Sequence, residues 1–193
     1  GAWLEGVTVS HGVLEVQNDT NGGNTLRLSA GTVTNCVVSE GRGYMYGAVA
    51  VRGGLLVDSV VSNNLGSSNG AVGSGLSVFD GVVSGCLIAG NSGNGTGSAN
   101  SHMSMGGYVA GGIVSNCTFT GNFSVKSDGP GAGLAMNGGL VTHCFITNNV
   151  AGSRAGGVMI TGGELRNCLV VANRANGTAS GDAGGGIRQV LQI

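Results

Sequence analysis

Charged side chains are scarce in this chain. Asp, Glu, Lys and Arg make up 9% of its 193 residues and the formal net charge is −1, whereas an average globular protein is about a quarter charged. The 8 Lys and Arg residues are scattered rather than gathered into a stripe. Proteins that hold a phosphate backbone need such a stripe, so no nucleic-acid partner is expected.

Proline, aromatic residues and long apolar runs are also rare. No apolar run approaches the roughly 18 residues of a membrane-spanning helix, so we expect no membrane span in this segment. One proline and the lack of a three-residue glycine period exclude collagen, although 41 residues are glycine. Hydrophobic residues still make up 41% of the chain and recur in register, which argues against disorder.

What the chain has in abundance is a repeat. A glycine, two mostly apolar residues, two mostly polar residues, a cysteine, a spacer and a large apolar residue recur every 23 to 31 residues. A weaker first copy places Val7 in the cysteine position. The cysteine position, here called the central column, is occupied in the six clear copies by Cys36, Ser59, Cys86, Cys117, Cys144 and Cys168. A repeat of this length indicates a solenoid.

The spacing of apolar residues within each copy is that of strands. Apolar residues stand three before and two after the central column, and a further pair stands ten and eight before it. Alternation over three to five residues has the period of a strand, and strands this short need stacked neighbours to bury their inner faces. We therefore predict an all-β parallel solenoid of about seven coils, with three short strands per coil, in one domain covering residues 1–193.

Two further columns mark the bends of each coil. Glycine five before the central column suits a sharp corner with positive φ. These glycines are Gly31, Gly54, Gly81, Gly112, Gly139 and Gly163. Asparagine five after the column predicts a ladder of side-chain amides, with simple turn preference as the alternative. These asparagines are Asn64, Asn91, Asn122, Asn149 and Asn173.

The repeat motif resembles that of a known class of proteins. Its best copies are residues 112–122 and 163–173, which run from the corner glycine through Asn-Cys to the asparagine. They are similar to right-handed parallel β-helix repeats of secreted or surface-displayed proteins, such as autotransporter passengers and polymorphic outer-membrane proteins. The tetrapeptide repeats of the latter are matched only in part. The resemblance implies right-handed coiling, bacterial export and an extracellular or cell-surface location, but β-helices serve many functions.

Carboxylates are not clustered in the pattern. A glycosidase needs two carboxylates roughly 5–10 Å apart, and the outward columns nine and seven before the central column contain none. The remaining candidates fall several turns apart or stand alone in loops: Asp58, Asp80, Asp128, His143, Glu164 and Asp182. His11 and His102 are interpreted as solvated loop residues. With no nucleophile elbow, phosphate loop or zinc motif, we expect no enzyme, no catalytic residue, no cofactor and no metal site.

Five cysteines in an exported protein raise the question of disulfides. Column neighbours such as Cys117 and Cys144 would lie one strand spacing apart, within disulfide range. Stacked side chains point the same way, however, so a good disulfide torsion would require distortion. Free buried thiols are the preferred interpretation, and a disulfide between neighbours is the alternative.

One outward column is apolar and indicates either a partner or a buried corner. Four before the central column stand Thr32, Leu55, Val82, Ile113, Leu140 and Glu164. An exposed stripe of this kind would mark a contact surface. Burial at the corner is the preferred interpretation, and the exposure of Leu55, Ile113 and Leu140 decides between the two.

The functional prediction is correspondingly broad. Segments of 7 to 15 residues, rich in Gly, Ser and Asn, follow each asparagine position and must emerge along one edge, which suits binding of a glycan or protein ligand. Neither terminus reads as a cap, which suggests a segment of a longer protein or a protomer that stacks end to end. The first hypothesis is a non-enzymatic extracellular structural or adhesive scaffold that can form fibres.

The alternative hypothesis is a carbohydrate-binding or carbohydrate-active β-helix, with lyase-like or hydrolase-like chemistry, that uses loops 92–106 and 174–186. Glycan binding favours aromatic platforms. The candidates Trp3, Tyr44, Tyr46 and Tyr108 are not grouped in the sequence.

Overall fold

The computed structural model of the chain describes residues 1–13, 23–43, 46–66, 73–93, 104–124, 131–152, 155–176 and 184–189. These residues contain no helix and form strands throughout. The strands are β1 (Trp3–Glu5), β2 (Thr8–Ser10), β3 (Leu26–Leu28), β4 (Thr32–Thr34), β5 (Val37–Ser39), β6 (Arg42–Gly43), β7 (Val49–Val57), β8 (Val60–Ser62), β9 (Leu65–Gly66), β10 (Leu76–Ser84), β11 (Leu87–Ala89), β12 (Ser92–Gly93), β13 (Gly107–Val109), β14 (Ile113–Ser115), β15 (Thr118–Thr120), β16 (Phe123–Ser124), β17 (Leu134–Thr142), β18 (Phe145–Thr147), β19 (Val150–Ala151), β20 (Val158–Arg166), β21 (Leu169–Val171), β22 (Arg174–Ala175) and β23 (Ile187–Gln189).

The strands form three parallel sheets that run the length of a solenoid. The first sheet follows the order β1-β4-β7-β10-β13-β17-β20-β23, with β3 paired to β7 and β14 paired to β10 and β17. The second sheet is β2-β5-β8-β11-β15-β18-β21, and the third is β6-β9-β12-β16-β19-β22. Each strand pairs with the equivalent strand of the neighbouring coil, so the predicted all-β solenoid is confirmed.

The number of fully paired turns is slightly smaller than the seven coils expected. The third sheet has six strands, so all three sheets are paired together over about five turns. The first coil reaches the third sheet through an isolated bridge between Val13 and Arg42. The first and second sheets, in contrast, contain strands from each of the seven coils.

The three strands of a coil are divided differently from the sequence prediction. The two segments before the central column were expected as separate strands, but in four coils they merge into the nine-residue strands β7, β10, β17 and β20. The corner glycine bends this long strand without ending it, and the pairing of β7 with β10 shifts register on either side of Asp80. The third strand is a two-residue segment directly after the asparagine column, within the stretch expected to be loop.

The interior is filled by apolar side chains that stand at equivalent positions in successive coils. Leu56, Val83, Val114 and Val141, three before the central column, are all completely buried. One coil departs from the pattern, because Gly107 stands where the others carry a large apolar residue. A Cβ at Gly107 would lie 2.7 Å from the ring of Phe119, the largest side chain of its own column. The glycine therefore makes room for the phenylalanine, and the volume of the layer is kept.

Two bends with positive φ recur in all seven coils. One precedes the central column and the other lies four residues after it, immediately before the asparagine column. The residues concerned are Gly6, Asn35, Asp58, Gly85, Asn116, His143 and Asn167 at the first bend, and His11, Glu40, Asn63, Gly90, Gly121, Asn148 and Ala172 at the second. Left-handed backbone favours Gly, Asn and Asp, which explains the composition of the first bend.

Candidate functional site

The central column lies inside the solenoid as a stack of small hydrogen-bonded side chains. Cys36, Cys86, Cys117 and Cys144 are buried, Cys168 is half-buried, and all five are free thiols. Each sulfur donates to the carbonyl two residues earlier in its own coil, at 3.1 Å in Cys117. Successive coils are also joined, since the N–H of Cys86 donates to Cys117 Sγ at 3.4 Å. Free thiols were the preferred interpretation of the sequence.

The second copy shows why serine can replace cysteine in this column. Ser59 Oγ accepts from the N–H of Cys36 at 3.1 Å and donates to the carbonyl of Val57 at 2.7 Å. These are the two bonds that the thiols make. The column therefore selects a small side chain that both donates and accepts.

The thiol environment holds two of these cysteines in the protonated form. Hydrogen bonds with Cys144 and Cys86, together with burial, raise the pKa of the Cys117 thiol far above its ordinary value. Burial raises the pKa of the Cys168 thiol. Both side chains are therefore neutral and weakly nucleophilic at physiological pH, as structural cysteines are.

The asparagine column forms a continuous amide ladder. Asn64, Asn91, Asn122 and Asn149 are completely buried. In each rung the side-chain oxygen accepts from both the backbone N–H and the side-chain NH₂ of the preceding asparagine. For Asn122 and Asn149 these distances are 3.0 and 2.9 Å. The ladder starts at Gly41, whose N–H donates to Asn64 Oδ1 at 2.8 Å, and its last rung is Asn173.

The corner glycines are required by both φ and space. All six have φ between 71° and 86°. A Cβ at Gly112 would lie 2.6 Å from the carbonyl oxygen of Gly81, and one at Gly163 would lie 2.4 Å from that of Gly138. The corners of successive coils therefore approach too closely for any side chain.

The carboxylates and histidines found in the sequence remain apart. Asp58 and His143 are exposed at bends of different coils. Asp80 accepts from the N–H of Gly81 next to it, and Glu164 pairs with Arg166. Asp128, Asp182 and His102 lie outside the described residues. Within the part of the chain that is described, no three His, Cys, Asp or Glu side chains approach closely enough to hold a metal ion.

His11 is exposed but has two side-chain partners. Its Nε2 lies 2.6 Å from Glu40 Oε2 and its Nδ1 lies 2.9 Å from Ser10 Oγ. A serine, a histidine and a glutamate in contact suggest a proton relay. However, His143 makes the same 2.9 Å contact with Thr142, the residue before it. The serine contact thus follows from a positive-φ histidine next to a hydroxyl residue, and it is not specific to a reactive centre.

His11 and Glu40 border a polar groove of about 370 Å³ on the outside of the solenoid. The groove crosses four coils where the second sheet turns into the third. Its other side chains include Arg42, Asn63, Leu65 and Ser92. The sequence pattern does not predict this grouping, because Arg42, Leu65 and Ser92 fall in segments expected to be loops and not in register on β6, β9 and β12.

An aromatic cluster lies on the outer face of the first sheet. Tyr46 and Phe79 pack edge to face with ring centroids 5.2 Å apart, and Phe79 and Tyr108 do so at 6.3 Å. The Arg52 guanidinium lies 4.1 Å from the centroid of the Phe79 ring. The expectation that Tyr46 and Tyr108 are not grouped is therefore wrong, because the Phe79 ring packs against both of them. Trp3 is exposed and bonds to Glu5, and Tyr44 lies outside the described residues.

The outward apolar column four before the central column reaches the surface, and none of its members is fully buried. Leu55 and Ile113 are 42% and 41% exposed. Val82, which lies between them, and Leu140, which follows Ile113, are half-buried. The preferred interpretation, that the corner buries this column, is wrong. Stacking in register places these four side chains in one stripe, since Leu55 pairs with Val82, Val82 with Ile113 and Ile113 with Leu140.

Searches for similar proteins return no relative: no family model, no curated protein and no solved structure matches the chain. Across the described residues, no helix has the length and apolar character needed to cross a membrane.

Proposed function

We propose that the protein is a non-enzymatic structural or adhesive scaffold. The observation that carries this proposal is the repetition of one set of axial contacts in coil after coil. Backbone pairing, the amide ladder and the central column all join each coil to the next through equivalent residues. The same contacts therefore hold neighbouring coils together along the whole solenoid. This arrangement suits a structural rod better than an enzyme, which needs one distinctive reactive pocket.

An extracellular location at a bacterial surface is part of the same proposal. It rests on the resemblance of the repeat to secreted β-helices. A low content of charge and many glycine-rich segments in the sequence are compatible with it. Detection of the intact protein on the surface of the producing cell by antibody labelling tests this part.

End-to-end association would extend the rod into a fibre. The edges of β21 and β22 that face away from the preceding coil pair with no described strand. The N–H of Leu169 donates back to Cys144, so the N–H of the next residue, Val170, faces the open edge. An unpaired parallel edge of this kind is a template for another strand.

Electron microscopy and sedimentation of the purified chain test the fibre. We expect assemblies that lengthen with protein concentration. Replacing Val170 by proline removes the outward N–H and should shorten them, whereas Val170→Ala, which keeps the N–H, should not. A monodisperse monomer at all concentrations would contradict end-to-end growth.

A second candidate function, carbohydrate binding, is favoured by the aromatic cluster. Aromatic rings beside a guanidinium are common where proteins hold polar ligands with apolar faces. A glycan array probed with the wild-type chain and with Tyr46→Ala tests this function. Loss of any array signal in the variant supports the cluster as the site, and an unchanged signal excludes it.

A further inference from the structure

The outer face of the asparagine ladder carries a row of side chains held at fixed spacing. Arg42, Leu65, Ser92 and Phe123 occupy the same position, one after the ladder, on β6, β9, β12 and β16. They pair in register from one coil to the next. With about 4.8 Å between strands, the row from the guanidinium to the aromatic ring is about 14 Å long. This is the length of a short oligosaccharide.

A second, parallel row borders the first. His11, Glu40 and Asn63 stand one before the ladder, each with positive φ that turns the bend outward. The second row and the first row from Arg42 to Ser92 line the polar groove described above, and Phe123 stands one strand beyond Ser92. In each coil the members of the two rows are two positions apart along the chain, as Glu40 and Arg42 are. This spacing is about 7 Å, which is wide enough for a single extended ligand chain.

The floor of the groove is rigid because it is the amide ladder itself. Gly41 donates to Asn64 and Asn64 donates to Asn91 directly beneath the groove, at 2.8 and 3.0 Å. Both asparagine side chains are completely buried. A ligand that binds on this face would meet side chains whose backbone is already fixed, so little ordering is required on binding.

The polar groups in the groove are available to a ligand. Arg42 is exposed and its guanidinium makes no hydrogen bond or ion pair with any described residue. The side chains of Asn63 and Ser92 likewise have no bonded partner within the described part of the chain. The carboxylate of Glu40, in contrast, is engaged by His11 at 2.6 Å. The groove thus offers one unpaired cation, an amide and a hydroxyl among its described residues.

The far end of the row is aromatic. Phe123 is 41% exposed and stands next to Ser92 in register. An exposed ring beside hydrogen-bonding groups suits a ligand with both an apolar face and hydroxyls, and a guanidinium suits a carboxylate. We propose that this groove binds a carboxylated oligosaccharide, with its carboxylate at Arg42 and a sugar ring on Phe123.

Calorimetric titration of the whole chain with a trimer of galacturonic acid tests the proposal. We expect Arg42→Gln to weaken binding about ten-fold or more, the usual effect of losing a hydrogen bond to a charged group. Phe123→Ala should weaken it about five-fold. Arg174→Gln is the matched control, since Arg174 is exposed in the same position of the last coil, on β22, away from the groove.

A second ligand and a second variant test the role of charge in the groove. The methyl ester of the trimer should bind about ten-fold more weakly than the acid. Glu40→Gln, which removes the nearby negative charge, should strengthen binding of the acid. Thermal melts of all variants should match the wild type, because the changed side chains lie on the surface.

Several results would overturn the assignment. They are no binding by the wild type, equal binding by Arg42→Gln, equal binding of acid and ester, or equally tight binding of a trialanine peptide through its carboxylate. Loss of binding in Arg52→Gln instead of Arg42→Gln would move the site to the aromatic cluster. Sedimentation of the same samples reports on the scaffold function separately, so the two proposals can fail independently.

Discussion

Replacing Asn149 by alanine should be among the most damaging single changes to this protein. The Asn149 amide donates to the carbonyl of Phe119 at 3.0 Å and to Asn173 Oδ1 at 2.8 Å. Its oxygen accepts two bonds from Asn122, at 3.0 and 2.9 Å. Alanine removes all four bonds and leaves the backbone N–H of Asn122 and one of its side-chain N–H groups buried without an acceptor.

The size of the effect follows from the number and burial of these bonds. A neutral hydrogen bond contributes about 1 kcal/mol net, and each buried group left unsatisfied costs about 1–3 kcal/mol. Four bonds in a completely buried site therefore predict a loss of about 4–6 kcal/mol, which is near the upper end for point mutations. The neighbouring residue supplies the control. Asn148 is exposed with φ 56°, so Asn148→Gly should change the free energy of unfolding by no more than about 0.5 kcal/mol.

Urea unfolding followed by circular dichroism measures both variants. Because solenoids can unfold in parts, hydrogen exchange of the amides of Asn91, Asn122 and Asn149 should accompany it. We expect fast exchange at these three positions in Asn149→Ala and wild-type protection in Asn148→Gly. A loss below about 1 kcal/mol, or equal losses in the two variants, would show that the ladder is a by-product of turn preference and not a source of stability.

Three further predictions use neighbouring or equivalent residues as controls. The new Cβ of Gly112→Ala would lie 2.6 Å from the carbonyl oxygen of Gly81, so this variant should have a much lower melting temperature than the wild type. Gly121→Ala is the control, because Gly121 also has a positive φ of 62° but a Cβ there would meet nothing nearer than 4.0 Å. Equal shifts in melting temperature would show that the steric contact is not the cause. Ile113→Lys, in the exposed stripe, should cost no more than about 0.5 kcal/mol, whereas Val114→Lys should prevent folding, as soluble expression and melting will show. Cys168, the half-buried thiol, should be the first cysteine to react with iodoacetamide. Because burial raises the pKa of this thiol, less thiolate is present at a given pH than in the unfolded chain. The rate of its reaction should therefore rise only above about pH 8.5. A rate that levels off below that pH would contradict the raised pKa.

The fold was easiest to predict from the columns in which only one residue type satisfies the local backbone geometry and hydrogen bonding. The corner glycines and ladder asparagines stand out because no other residue meets their backbone and hydrogen-bonding demands, as the 2.6 Å approach at Gly112 illustrates. The third sheet was missed because its strands are two residues long and too short for a period to show. A signal was present: the second residue of each of these strands is Gly, Ser or Ala, as in Gly43 and Ala151, which marks an inward position under close packing.

The surface features were harder to predict because they depend on register between coils. Arg42 and Phe123 are 81 residues apart in sequence, and neither belongs to a motif. They come into one row because every coil adds the same two-residue strand after its asparagine. The aromatic cluster is similar, since Phe79 and Tyr108 come from positions that are not equivalent. The exposed stripe was visible as a column, but whether the corner would bury it depended on a bend angle that residue types do not specify.

The direction of the amide and thiol bonds has a mechanical consequence. The bonds of the amide ladder, the bonds from a backbone N–H to the column thiol of the next coil, and the backbone pairing between coils run along the rod, whereas the covalent chain runs around it. A pull along the rod loads the interfaces in series, so the chain should unwind one winding at a time at a force that does not grow with the number of windings. A load across the rod acts on the covalent peptide bonds instead. The molecule should therefore resist deformation across its axis and extend readily along it.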